Sequence, residues 1–390
     1  MSITADLMNG DTTVAPGITQ AQTGVRLDVS TVSGQEWDRT IAEFDEVCQE
    51  QLHAFAVTRW PDVVQEPVVF RLDGEVVGGS LTMIQRLPLG IGRIAVSKWG
   101  PMLKRADDPR ADEIYRAMIG ALTRDYAHER GMMLSILPRA SLTPVNANYE
   151  YLISQGFKRG SSLLFPDRYI VNLRQDDAAL RKSFAQKWRY HLNKSQKAGL
   201  SFEHGDAGRF GDFHTLYQAM SDRKQFPDHS AYETVESLMS LDAALRPELF
   251  FVRHDGEVIA GALIFKSGDR AVYLYGATND RALPLRAGYF LQWEITRWLR
   301  DNTPANWYDL GGTDGFQGLH QFKKGMVGDA GVIEPVPPVA NFAANRWSYL
   351  LGTGAFAARD AVHSARRKFD AMRSSKARPT QTRVPDNEGN

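Results

Sequence analysis

The chain repeats itself, and this limits its fold more than any other feature. "VVFRLDGEVVGGSL" (Val68 to Leu81) and "FFVRHDGEVIAGAL" (Phe250 to Leu263) are each an apolar run, an Asp-Gly pair and a second apolar run. Asp-Gly between two such runs predicts a β-hairpin closed by a two-residue turn. Asp73 corresponds to Asp255 and Gly74 to Gly256, an offset of 182 residues in both cases. The parallel continues in order. "SKWGPML" and "YLYGATN" read as strands, "ADEIYRAMIGALTRDYAHERG" and "GYFLQWEITRWLRDN" as amphipathic helices, and "MMLSIL" and "NWYDLGG" as short strands. "ANYEYLISQGF" and "GLHQFKKGM" are short helices closed by glycine, and "SSLLF" and "GVIEPV" are the closing strands. Six elements matching in order imply two copies of one domain rather than a solenoid. The class is therefore α/β (α+β), each copy a mixed, mostly antiparallel sheet flanked by helices. The boundaries read as a disordered polar tail over 1–24, a first domain over 25–168, a second over 169–338, and a basic C-terminal helix and tail over 339–390.

Composition narrows the function classes. Lys plus Arg and Asp plus Glu are 46 each, so no global field draws the chain onto DNA, and any anion site must be local. The single cysteine, Cys48, excludes an intrachain disulfide and sits in an acidic helical pattern that does not suit a thiolate nucleophile. Nine histidines without a His-x-x-x-His pair predict no metal site. The N-terminus lacks the basic and apolar regions of a secretory signal, and no run of about 18 apolar residues could span a membrane. These features place the chain in the cytoplasm.

Two basic segments stand out. In "DDAALRKSFAQKWRYHLNKSQKAGL" the residues Leu180, Phe184, Trp188 and Leu192 recur every four positions, which is helical, and six Lys/Arg crowd the same stretch. This element has no counterpart at the start of the first copy. The segment from Asn345 to Pro379 holds eight Lys/Arg against two Asp, together with Trp347, Tyr349 and Phe356. It suits a weak peripheral contact with the inner face of the plasma membrane or with a polyanion, and equally a solvated tail.

The ordered set resembles two tandem GNAT-fold domains, and most of all the FemABX family of peptidoglycan-bridge aminoacyltransferases. The residues that carry the resemblance are "GEVVGGSLTMIQRLPLGIGRIAVSKWGPML", "KWRYHLNKSQKAGL", "YLYGATNDRALPLRAGYFLQWEITRWL" and "WYDLGG…LHQFKKGMVG", and it covers about residues 35–335. Two departures are visible. Residues 200–250 leave no room for the long helical arm of some relatives. Thr58–Arg59 stands where relatives often carry a lysine, a position at which Arg59 can substitute.

The resemblance implies transfer of an aminoacyl or acyl group to an amine or hydroxyl of a peptidoglycan or polysaccharide precursor. The donor, aminoacyl-tRNA or acyl-CoA, arrives already activated, and no permanently bound cofactor is implied. No covalent nucleophile is then needed, in keeping with the absence of a Gly-x-Ser-x-Gly motif. The tetrahedral intermediate of acyl transfer needs donors aimed at its oxyanion. By resemblance Lys323 fills that role, on the solvent face of its helix with Lys324 and His320, while Leu319, Phe322 and Met326 pack inward. Asp309 suits a general base or a turn-bonding role, and Tyr275 suits orienting the substrate or packing in the core. Arg189, Arg223, Arg59, Arg286, Phe322 and Lys324 are the expected substrate contacts. The two other readings are an acyl-CoA-dependent N-acyltransferase for a small molecule or sugar amine, and a non-catalytic tandem scaffold.

Overall fold

The computed structural model describes residues 24–224 and 231–376, with side chains described up to 222 and from 231 to 362. Apart from Gly24, the polar N-terminal tail falls outside the described residues.

The first unit runs β1 (Asp28–Thr31), α1 (Gly34–Ile41), α2 (His53–Arg59), β2 (Val64–Leu72), β3 (Glu75–Arg86), β4 (Arg93–Lys98), β5 (Met102–Leu103) and α3 (Ala111–Leu122). A π-helical turn (Thr123–Glu129) continues α3, and β6 (Met133–Leu137), α4 (Ala147–Ser154) and β7 (Lys158–Arg159) follow. The second unit runs β8 (Asp167–Asn172), α5 (Asp177–Ser183), α6 (Gln186–Gln196), β9 (Ser201–Gly205), α7 (Phe210–Lys224), α8 (Val235–Met239), β10 (Glu248–His254), β11 (Glu257–Phe265) and β12 (Arg270–Thr278). It closes with α9 (Ala287–Asn302), β13 (Trp307–Asp309), α10 (Gln317–Val327) and β14 (Val332–Pro335). Two further elements, β15 (Ala340–Phe342) and α11 (Arg346–Lys376), end the described chain.

The two hairpins of the repeat correspond in turn conformation and bulge position. Asp73–Gly74 and Asp255–Gly256 all have positive φ, the conformation that fits a two-residue loop to the twist of its strands. Each hairpin carries one β-bulge, between Phe70 and Arg71 in the first and between Val252 and Arg253 in the second, at the same offset of 182. The sheets share a layout: β1-β2-β3-β4-β6-β15-β7, with β5 added to β3, and in the second unit β9-β10-β11-β12-β13-β8-β14. Each sheet contains one parallel pair, β4 with β6 and β12 with β13.

The strand beside each parallel pair differs from the sequence reading. "SSLLF" does not form the closing strand of the first copy. The edge place that matches β14 is filled by β7, just upstream, and β15 returns from beyond the second unit and inserts between β6 and β7. The equivalent strand of the second sheet is β8, which precedes that unit. The helices following these strands correspond as well, α5–α6 after β8 and α11 after β15. The basic helical element is therefore not extra: its counterpart lies at the other end of the chain.

The two units share a core. Trp37 and Phe55 from α1 and α2, with Val69 and Leu81 from the first sheet, pack against Leu238, Phe265 and Val272 of the second unit. Alternation of side chains along a strand then sorts the other faces. Val68 and Phe70 face α3 on the far side of the first sheet, while Tyr308 and Phe250 face α9 on the far side of the second. α11 covers the part of the first sheet's inner face that the second unit leaves open, packing Leu351 and Phe356 on Ile94 and Met133.

Candidate functional site

In each unit two parallel strands point their C-terminal ends toward a gap, the usual place for a ligand at a parallel pair. In the first unit the gap is a cavity of about 320 Å³ between the units. Trp99 and Pro101 follow β4, and Arg139 follows β6. Glu46 and Tyr115 form the floor, and Arg270 reaches in from the start of β12. A small continuation of the cavity leads past Cys48 and Glu50 to Arg168 and Asp309.

Period-two alternation puts these charged groups together. Asp309 pairs in register with Val272, so it faces the shared core side, as do Arg270 and Arg168 two residues from Val272 and Ile170. Both Asp309 oxygens are engaged: Oδ2 accepts from Arg168 Nε (3.2 Å) and Nη2 (3.1 Å), and Oδ1 accepts from the Gly311 amide (2.8 Å). Burial alone would raise the Asp309 pKa, but Arg168, Arg270 and the Gly311 amide outweigh it and hold the carboxyl below its ordinary value. Arg168 lies 5.9 Å from the Trp99 ring across the unit boundary. Burial, aided by Arg139, pulls the Arg270 guanidinium down to about 10, and its Nη1 donates to the Ala140 carbonyl (2.9 Å). Glu46 is the opposite case. Burial pushes its carboxyl up despite a 2.6 Å bond from the Leu103 amide and the charges of Arg139 and Arg270. The Tyr115 hydroxyl is buried without a hydrogen-bond partner.

In the second unit β12 and β13 pair only over Arg270–Val272 and Trp307–Asp309. β12 then bulges between Tyr273 and Tyr275 and runs on to Thr278, while the chain leaves β13 through the glycine turn at Gly311 and Gly312. Gly311 has φ 78°, a conformation that favours glycine. Lys323 closes this wedge from below. Its Nζ donates to the Leu310 and Gly312 carbonyls and lies 6.0 Å from the Tyr273 ring centroid.

Lys323 is buried and Lys324 exposed, which corrects the expected solvent-facing pair. Lys323 lies four residues after Leu319 and three before Met326, so helical spacing assigns it to the packed face. Its long stem lets the ammonium reach the turn carbonyls. The Lys323 ammonium is not among the groups lining the cavities described above.

Burial, with Arg168 nearby, lowers the Lys323 pKa to about 8 from 10.5. Between those two values the unfolded chain binds a proton that the folded chain does not, so stability rises with pH across this window. The stability advantage of wild type over Lys323→Met is therefore expected to grow by about 2 to 3 kcal/mol between pH 7.5 and 10. Urea denaturation at the two pH values tests this, and an unchanged difference would contradict it.

The other expected contacts fall in several places. Arg286 and Phe322 come together with Trp188, which the sequence reading assigned to packing alone, and with His191 and Tyr289, which it did not single out. Tyr289 lies 4.8 Å from Phe322, 5.2 Å from Trp188 and 4.9 Å from His191 between ring centroids. Trp188 Nε1, His191 Nδ1 and Arg286 Nε are buried with no hydrogen-bond partner, and they gather beside the N-terminus of α9. Burial and the neighbouring cations Arg286, Lys187 and Lys194 lower the His191 pKa. Arg189 is turned elsewhere, donating to the Lys182 and Phe184 carbonyls at the end of α5. Arg59 pairs with Glu233 of the second unit. Tyr275 packs edge-on against Tyr217 and Tyr232, away from the Asp309 group. Arg223 lies in α7, with its side chain outside the described residues. Burial pushes the Cys48 thiol up, which disfavours a thiolate.

The arginines at the unit boundary were missed, although a signal was there. Arg168 and Arg270 stand at the starts of strands and are followed by largely apolar runs, "YIV" and "AVYLYGA". A charge in register with a buried face has to meet a partner.

Residues 182–324 match the family model described as an acetyltransferase (GNAT) domain. No curated protein matches the chain in sequence. The fold is similar to the crystal structure of FemX, with a TM-score of 0.67 and 17% identity over 84% of this chain and 100% of that one. It is also similar to the C-terminal domain of a candidate lysylphosphatidylglycerol synthetase from Agrobacterium fabrum, with a TM-score of 0.53 and 13% identity over 83% and 97% of the two chains. A conserved protein of unknown function from Bacteroides thetaiotaomicron gives a TM-score of 0.54 at 11% identity, over 81% and 98%. The chain thus has the tandem GNAT-type acyltransferase fold of FemX, with the GNAT sequence signature in its second unit.

Proposed function

We propose that the chain is an acyltransferase that moves an aminoacyl or acyl group from aminoacyl-tRNA or acyl-CoA to an amine or hydroxyl of a peptidoglycan or polysaccharide precursor. The observation that carries this reading is the pair of duplicated strand ends with different surroundings. One opens on a polar cavity between the units, and the other ends on a glycine turn fixed by a buried lysine. The FemX fold and a neighbour whose name joins a lysyl group to a lipid support an envelope acceptor.

On this reading the acceptor occupies the cavity between Trp99, Arg139 and Arg270. The donor's acyl end lies in the wedge between β12 and the Gly311–Gly312 turn. The unpartnered donors Trp188, His191 and Arg286 suit the phosphates of either donor. The acceptor's nucleophile adds to the acyl carbonyl, the bond to the tRNA ribose oxygen or the CoA sulfur breaks, and the nucleophile's proton leaves. Glu46, a buried carboxyl with a raised pKa, suits taking that proton, whereas Asp309 is held ionised by its arginines.

The test incubates purified protein and an envelope precursor with labelled aminoacyl-tRNA or with acyl-CoA, and measures the product by mass spectrometry. A mass gained from charged tRNA alone is the expected aminoacyl transfer. A gain from acyl-CoA alone favours the N-acyltransferase reading. If neither donor gives product and a deletion strain keeps its envelope masses, the chain is a scaffold and the proposal fails.

A further inference from the structure

The most exposed large apolar side chain among the described residues lies beyond the end of β4 opposite the proposed site. β3 and β4 are joined by "RLPLGIGR", in which Leu89 is 98% exposed and Ile91 54% exposed. Leu89 adopts φ 58°, a left-handed conformation that a bulky side chain enters only at a cost and that glycine would take more cheaply. The fold gains nothing from this leucine, because its side chain touches water almost everywhere.

The base of the loop is equally costly. Arg86 and Arg93 stand directly opposite each other across the β3–β4 ladder, and like charges in that position repel. Among the described residues neither forms an ion pair. Arg93 reaches toward Glu66, but that carboxylate is already held by Arg130. An apolar tip flanked by two arginines outside any ion pair fits a partner with an apolar interior and an anionic surface.

α11 extends the same surface. A side chain at Gly92 would meet Leu351 Cδ1 at 3.6 Å, so loop and helix are packed together. The inner face of α11 is apolar, and so is its outer face. Trp347 is 75% exposed and Leu350 61%, and Gly354, Ala357, Ala358 and Ala361 continue the exposed line at helical spacing. Arg346 and Arg359 are the exposed charges on this stretch, and Asp360 is taken by Arg359. Further along, the sequence of α11 carries Arg366, Arg367, Lys368, Arg373 and Lys376 against Asp370. No described helix is long and apolar enough to cross a membrane, so any lipid contact of this helix is along its side.

We infer that the 86–93 loop and the exposed face of α11 together form a docking surface for an anionic lipid bilayer, with Leu89, Ile91, Trp347 and Leu350 entering the headgroup boundary and the arginines meeting lipid phosphates. The sequence placed membrane contact in the basic tail alone. The loop adds a second point of attachment, and two points fix the orientation of the molecule on the surface. Tryptophan is the residue best suited to the interfacial depth, and each basic residue near an anionic leaflet adds attraction that salt weakens.

The test is vesicle co-sedimentation of the full chain, using phosphatidylcholine alone and phosphatidylcholine mixed with phosphatidylglycerol. Binding is expected to the mixed vesicles and to fall as salt is raised. The Leu89→Ser/Ile91→Ser variant should weaken it by about tenfold or more, through loss of buried apolar area. The Arg86→Ser/Arg93→Ser variant should weaken binding to the mixed vesicles while its circular dichroism stays unchanged. Absence of binding, or binding indifferent to Leu89→Ser/Ile91→Ser, would overturn the inference. So would sedimentation in lipid-free buffer showing a dimer that this variant dissociates, because a second copy would then cover the face.

Discussion

Asp309→Ala should lower the stability of the protein by about 3 to 5 kcal/mol, the cost of leaving a buried charge without its partner. Asp309 sits in β13 with both oxygens bonded, and its removal strands Arg168 and Arg270 between the units. Both guanidiniums are charged at neutral pH, so the variant leaves two cations buried there. Removing the pair together should cost far less: Arg168→Met/Asp309→Leu fills a similar volume without charge, and such replacements are often neutral. A double-mutant cycle by thermal or urea denaturation measures the coupling. If the single variant melts with wild type, Asp309 is not the anchor that the geometry describes.

Lys323→Met should reduce the rate of transfer by about a hundredfold, the cost of letting a wall that positions the reacting group shift by about 1 Å. The ammonium does not project into an open site. It grips the Leu310 and Gly312 carbonyls, so its direct effect is to fix the turn that walls the donor wedge and to place positive potential beneath it. Lys323→Arg should not restore activity, since a forked guanidinium does not fit the two-carbonyl grip of an ammonium. The predicted signature is a fall in kcat with the acceptor KM close to wild type. A variant that turns over normally would remove Lys323 from both the chemistry and the support of the turn.

Much of the fold was legible because its signals are local. Asp73–Gly74 and Asp255–Gly256 announce their turns within two residues, and the spacing of Leu180, Trp188 and Leu192 marks their burial, although the single helix expected there is divided into α5 and α6 by extended backbone at Phe184 and Ala185. β15 was hidden because three residues, "ANF", carry no alternation, and its partners Leu134 and Ile136 lie some two hundred residues upstream. Pairing over that distance leaves no trace in a local pattern. The site was legible only in part. "WYDLGG" and "FKKG" pointed to the wedge of the second unit, but the cavity between the units depends on Glu46, Arg139 and Arg270, whose meeting requires both sheets to be in place. Arg189 misled for a related reason: its sequence position fits a phosphate contact, yet the free carbonyls at the end of α5 are nearer.

The account rests on one acceptor site built by both units. Hydrogen–deuterium exchange with the envelope precursor bound measures this most directly. Added protection in residues 99–101 and 139–148 of the first unit, together with the start of β12 in the second, is the predicted result. Protection confined to a single unit, or absent from both of those first-unit segments, would contradict it.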